Sequence, residues 1–219
     1  YMKNHKAACS NILAMLITHL HREMAKEGAP QISMESLHNP SPDYLRAGAR
    51  SLDWDTAKDA LLGPDWYRFT VIREPLSRTV SAWADKLDSS KNLAHRRRLM
   101  EHLGRDSDAD LTLSDFLHIL ATDEVARDLD RHWRPQHKGI SFGLIDYDLI
   151  GLVEEMDEVR NALAHRLFGE GHERIDVVDT RTQLGHKTDS DSILESLTAV
   201  DRRNVERAFE GDFEMYETV

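Results

Sequence analysis

The 219-residue sequence predicts an α/β fold, a parallel sheet with helices around it and a helix-rich C-terminal half. Three stretches carry this expectation. Ile12, Leu13, Leu16, Ile17, Leu20 and Met24 recur at helical spacing, so 11–26 reads as an amphipathic helix, ended by Gly28 and Pro30. WYRFTVIR, 66–73, is dense in aromatic and β-branched residues and reads as a buried strand. Pro75 then takes the first-turn position of a helix through VSAWADKL. YDLIGL, 147–152, reads as a further strand, followed by the helix EEMDEVRNALAHRLF. Strand–loop–helix units of this kind favour parallel pairing.

The remaining elements fall between these. QISM, 31–34, reads as a short strand, and HNPSPD, 38–43, is turn chemistry broken by two prolines. A helix around Trp54 to Leu62 stops at Gly63-Pro64. Helices follow at about 92–104, 112–121 and 123–129, with one or two more between Asp189 and Glu210. We find no internal repeat or low-complexity tract, and residues 1–219 read as a single domain. Tyr1 is no initiator methionine, so the N-terminus is read as trimmed.

Hydrophobic residues make up 40% of the chain and charged residues 31%, the balance of a globular protein. The formal charge of −11 argues against nonspecific nucleic-acid binding, which needs a broad basic face. It leaves room for a small anionic ligand in a local basic pocket. The single Cys9 rules out an internal disulfide and a cysteine zinc cluster, and fits a reducing compartment. No run reaches the length that spans a bilayer, so no membrane segment is expected in this chain.

Two segments carry the chemistry. HKAACSN, 5–11, leads into the first helix. N–H groups at a helix start point outward and the helix dipole is positive there, which suits a phosphate or sulfate. Lys6 adds a point charge, Ala7 and Ala8 keep the loop uncluttered, and Ser10 offers a hydroxyl. The plainer alternative is an N-cap by Ser10 with a surface lysine nearby. IREPLSRTVSAW, 72–83, sets Arg73 at a strand end and Ser81 two turns into a helix, where both could meet one phosphate. Its plainer alternative is a salt bridge from Arg73 or Arg78 to Glu74 or Asp85. Two such cradles together ask for a ligand with two separated anionic groups.

These residues resemble the sulfotransferases that use 3′-phosphoadenosine 5′-phosphosulfate (PAPS). HKAACSN is similar to their P-K-x-x-C-T-N type 5′-phosphosulfate loop, and IREPLSRTVSAW to their R-[DE]-P-x-x-R-x-x-S-x-[YW] 3′-phosphate motif. HWRPQ, 132–136, followed by YDLIGLVEEM resembles the downstream region of the Golgi-type carbohydrate sulfotransferases of family 2. The ending FEGDFEMY is similar to their closing D-[FY]-x-x-[FY] pattern. His5 stands where proline is usual and Ser10 where threonine is common.

The resemblance implies a P-loop-like three-layer fold with a central parallel sheet, and transfer of a sulfuryl group to a hydroxyl of a carbohydrate or other small acceptor. Lys6 and Ser10, with Ala7, Ala8, Cys9 and Asn11 in the same loop, would hold the 5′-phosphosulfate; Arg73 and Ser81 would hold the 3′-phosphate. Lys187, with His186 in LGHKTDSDS, would belong to a loop closing over the nucleotide. Packing is the better role for Cys9 than redox chemistry.

Sulfuryl transfer needs an in-line nucleophile and a stabilised leaving oxygen. Lys6 would act where negative charge grows, on the oxygen bridging sulfur and phosphorus. No metal is expected, since no histidine or carboxylate spacing resembles a ligand set. For the base that takes the acceptor's proton, His38 comes first, because some uronyl sulfotransferases carry a catalytic histidine in the corresponding loop. His132 is second, against a structural histidine beneath Trp133, and Glu35 and Asp43 follow. HRRRL, 95–99, reads as a solvated helix face, or as a docking site for acidic sugars.

Two other readings stand beside this one. A P-loop kinase-like phosphotransferase lacks its Gly-Lys-Ser/Thr signature here. A catalytically silent nucleotide-binding or interaction module would keep the fold without turnover. The expected compartment is the cytoplasm, as in bacterial-type enzymes, with a trimmed luminal domain of a membrane-anchored enzyme as the alternative. Acceptor specificity is expected in 36–60 and 88–135.

Overall fold

The computed structural model describes residues 1–25, 53–89, 93–169 and 190–219. The predicted strand at 31–34 and the loops carrying His38 and Lys187 lie outside them. The chain divides into two units: Tyr1–Ala7, Phe69–Glu154 and Thr188–Val219 form the first, Ala8–Arg68 and Glu155–Lys187 the second.

The first unit holds the parallel pair β1 (Phe69–Ile72) and β2 (Leu149–Leu152), with Phe69 opposite Leu149 and Ile72 opposite Leu152. Every β1 residue is buried: three are apolar, and Thr70 is buried with its hydroxyl bonded. Both strands are shorter than the sequence suggests, because the paired register spans four residues on each strand and the chain turns into a 3₁₀ segment at Val153–Glu155. Residues 2–4 run beside β1: Met2 N–H donates to Phe69 O (2.9 Å), Thr70 Oγ1 to Met2 O (2.9 Å) and Asn4 Nδ2 to Val71 O (3.1 Å). Among the described residues the architecture is thus mixed α/β, with helices dominant and a small parallel sheet.

Between the strands run α3 (Pro75–Lys86), α4 (Leu93–His102), α5 (Leu113–Thr122), α6 (Glu124–Asp128) and α7 (Gln136–Gly139). The tail forms α9 (Ser190–Ser196), α10 (Ala199–Ala208) and α11 (Glu210–Thr218), one helix beyond the predicted tail. Capping boxes from Thr112 with Asp115 and Thr198 with Asp201 set the starts of α5 and α10. The core gathers Trp83, Leu99, Met100, Phe116, Leu120, Trp133, Val205 and Phe209. Trp133 is fully buried, meets Phe116 edge-on, and gives its ring N–H to Ala126 O at 3.0 Å.

The second unit contains α1 (Cys9–Ala25), α2 (Trp54–Leu62) and α8 (Met156–Phe168). The α1 face that is buried centres on Ile12, Ala14, Met15 and Ile17, whereas Leu13 and Leu16 are half-buried. His19 stacks on Phe168, and the Arg166 guanidinium lies 4.9 Å from the Tyr67 ring centre. Asp53 caps α2 through Thr56 N–H at 2.9 Å, and no α2 residue is buried.

Candidate active site

The opening loop holds two non-glycine residues in the left-handed region. Lys6 has φ 66° and Ala8 φ 49°, both left-handed conformations that disfavour a side chain. Such strain persists only where surroundings enforce it, and it concentrates at functional loops. Alternating backbone handedness also turns successive N–H groups to one side. Ala7 is fully buried, and Cys9, the first residue of α1, and Ser10 are half-buried. Within the second unit, Asn11 and Ile12 N–H both bond Ala8 O.

In the first unit, the Lys6 ammonium contacts the Asp85 carboxylate on α3, which Lys86 also reaches at 3.0 Å. Burial opposes ionisation of Asp85, but the two ammonium groups outweigh it and hold the carboxyl at about 2. The sequence suggested Asp85 as a partner for Arg73 or Arg78; Lys6 and Lys86 are partners that it did not suggest. Arg78 is fully buried and donates Nε–H to His5 O at 3.0 Å, fixing the residue before Lys6. Burial pushes the Arg78 guanidinium down to about 10, against the pull of Asp212, so it stays charged at neutral pH.

The start of α3 is capped from within the chain. Glu74 turns its carboxylate onto Leu76 N–H (2.9 Å) and Ser77 N–H (2.7 Å), filling the position an anion would take. Positive character there comes from Arg73, just beyond β1. Ser81 lies two turns along α3 and is 6% exposed.

The residue missed by sequence reasoning is Gln136, fully buried at the start of α7. Its Oε1 accepts from Asn4 Nδ2 (2.9 Å) and Arg73 N–H (3.0 Å), and its Nε2 donates to Arg73 O (2.8 Å). Asp212 of the closing acidic-aromatic segment accepts N–H bonds from Gln136 (2.8 Å) and His137 (2.9 Å), satisfying the exposed donors of the α7 start. One polar hub therefore joins the approach to Lys6, the Arg73 strand end, HWRPQ and the tail. The quoted motifs were the available signal, but not their contact.

His132 is 9% exposed and gathers with His5, His95 and Asp130. Its Nδ1 lies 2.6 Å from Asp130 Oδ1, and His95 Nδ1 lies 2.7 Å from Asp130 Oδ2. His95, Asp130 and His132 also form, among the described residues, a group of three that could offer metal ligands. No spacing in the sequence pointed to it, because His95 is brought in from α4. The HRRRL run divides: Arg96 ties down Leu87 O, Ser107 O and Ala109 O, and Leu99 is fully buried, so it is not a uniformly solvated face.

The fold is thus a helix-dominated α/β protein with a small parallel sheet, its opening segment running beside β1 into a lysine-bearing loop. The chain belongs to the sulfotransferase family, whose profile matches residues 1–217. It is similar to carbohydrate sulfotransferase 14 of Danio rerio, 25% identical over 118 residues. That match covers 50% of this chain and 32% of the relative. Human carbohydrate sulfotransferase 14 is 25% identical over 116 residues, 50% of this chain and 31% of the relative. The matched region spans about a third of each relative's length. No solved structure matches the chain. No helix among the described residues is long and apolar enough to cross a membrane.

Proposed function

We propose that this chain transfers a sulfuryl group from PAPS to a hydroxyl, on a carbohydrate or another small acceptor, by in-line displacement. The observation that carries the reading is the Gln136 hub, which bonds both Asn4, two residues before Lys6, and Arg73. It ties the two segments that the motifs assign to the two ends of one donor. Family membership and the resemblance to carbohydrate sulfotransferases support the same chemistry.

In this reading Lys6 stabilises the leaving oxygen of the 5′-phosphosulfate, and the loop from Ala7 to Asn11, with the Ser10 hydroxyl, holds that group by its motif position. Arg73 and Ser81 bind the 3′-phosphate, and Lys187 closes over the nucleotide. The acceptor's proton goes to His38 or His132; the environment of His132 favours the latter. β1 and β2 belong to the central parallel sheet of a P-loop-like three-layer fold, and the family match supports reading 1–219 as one sulfotransferase domain. No metal takes part. One cysteine supports a cytoplasmic setting, with a luminal domain as the alternative.

Calorimetry with 3′-phosphoadenosine 5′-phosphate (PAP), then a panel of glycan, lipid and small-alcohol acceptors with sulfur-labelled donor, tests the proposal. Micromolar PAP binding with label transfer to a hydroxyl is expected, unchanged by chelator. Absence of PAP binding would overturn the reading, and binding without transfer to any acceptor would favour a silent module.

A further inference from the structure

We infer that Asp130 is a positioning residue for acceptor activation: its carboxylate fixes the His132 imidazole with Nδ1–H inward and Nε2 as proton acceptor, while His95 braces the carboxylate's other oxygen. The inference rests on the sulfotransferase reading.

Asp130 is 6% exposed and receives three N–H groups. His132 approaches Oδ1 with its backbone N–H at 2.9 Å and ring Nδ1 at 2.6 Å, and His95 Nδ1 approaches Oδ2 at 2.7 Å. Burial opposes ionisation of Asp130, but the bonds from His132 and His95 prevail and hold its carboxyl well below the usual carboxylate range. An ionised carboxylate only accepts, so the hydrogen-bond network assigns a proton to each facing ring nitrogen. Neutral His132 must then keep its lone pair on Nε2.

A purely structural Asp130 needs less than this. The turn at 130–134 is closed by Trp133 and Arg134 N–H onto Asp130 O and by His132 N–H onto Oδ1. That accounts for neither imidazole. Contacts of 2.6 and 2.7 Å are hydrogen-bond distances.

Position agrees with the role. The His5 ring meets His132 edge-on at 4.9 Å, and Lys6 follows His5 in the chain. Among the described residues, the charged and titratable groups facing His132 include His5, Lys86, His95 and Asp130. Burial lowers the His132 proton affinity, Asp130 partly restores it, and Lys86 and His95 lower it again, so the ring is neutral at pH 7. In the reaction the acceptor oxygen bonds to sulfur as the bond from sulfur to the bridging oxygen breaks. The leaving electron pair stays on the PAP phosphate, and the hydroxyl proton passes to Nε2. Asp130 stays ionised beside the imidazolium, which returns its proton to water after product leaves.

The test combines ring ¹⁵N spectra of the full chain with turnover of an acceptor found in the panel. The expected wild-type spectrum has His132 protonated at Nδ1 at pH 7.5, an assignment that Asp130→Asn abolishes. Asp130→Asn should lower kcat about 10²-fold or more while PAP affinity stays within about threefold. Its acid limb should move to lower pH, since the partner that raises the His132 proton affinity is gone. Asp130→Glu should restore part of kcat, and His95→Asn should cost only a few-fold.

A wild-type His132 protonated at Nε2 overturns the inference even if Asp130→Asn fails to fold. So does an Asp130→Asn enzyme with kcat within about threefold of wild type, or one whose loss is matched by lost PAP affinity. A wild-type chain that binds no PAP fails at the sulfotransferase reading itself, which separates the two failures.

Discussion

The side-chain amide of Gln136 pairs with both backbone groups of Arg73, accepting its N–H at 3.0 Å and donating to its O at 2.8 Å. The amide stands in for a neighbouring strand, continuing the ladder past the end of β1. Gln136→Leu would remove the two bonds to the Arg73 backbone and the one from the Asn4 amide, in a place that is buried or partly buried. We expect a loss of about 2–4 kcal/mol in urea unfolding, and PAP binding weakened at least about tenfold. A variant that unfolds at the wild-type midpoint would remove the hub from the account.

Lys6→Ala removes the ammonium assigned to the leaving oxygen. The expected fall in kcat is about 10²–10³-fold, with a smaller loss in PAP affinity. Single-turnover transfer from labelled donor separates the two effects. Unchanged kcat would refute the role given to the opening loop.

In the proposed reading Asp85, paired with Lys6, competes with the donor for it. Asp85→Asn should tighten PAP binding by about two- to fivefold, the scale of a partly buried, water-screened ion pair, and calorimetry reads this directly. Weaker binding would mean that Asp85 orders Lys6 more than it occupies it.

Stability should fall with acid in two stages. Burial first, then the nearby His132, Lys3, Arg131 and Arg78, lower His5 from 6.5 to about 3. Below pH 6.5 the unfolded chain therefore binds a proton that the folded chain refuses, and stability declines towards pH 3. The ionised Asp85, lowered from 3.8 to about 2, contributes above pH 3.8, and that contribution disappears as pH falls through 2. Thermal melts from pH 7 to 3 should show a shallower decline for His5→Gln. Parallel curves for the two proteins would contradict the first stage.

Much of this was legible in the chain because it is local. Trp54–Leu62 matches its predicted bounds, since Asp53 and Gly63-Pro64 mark both ends. Pro75 marked α3, and HKAACSN marked the loop by residue type. What sequence could not carry was contact: His95 beside Asp130, or Lys6 on Asp85, joins positions on different elements that no periodicity links. Glu74 also passed for a salt-bridge partner because a carboxylate before a helix looks alike whether it caps or pairs. The left-handed Lys6 was hidden for another reason, as lysine gives no warning of a conformation that glycine would advertise.

The hub carries a consequence for the order of folding. Asn4 meets Gln136 across 132 residues of sequence, and Gln136 meets Asp212 across 76 more. During synthesis the lysine loop leaves the ribosome before Gln136 and Asp212 do, so the hub that anchors it is complete only after both have emerged. Long-range contacts of this kind form slowly. A nascent chain stalled before Asp212 would therefore carry the opening loop without its full anchor, open to chaperones and proteases until α11 docks.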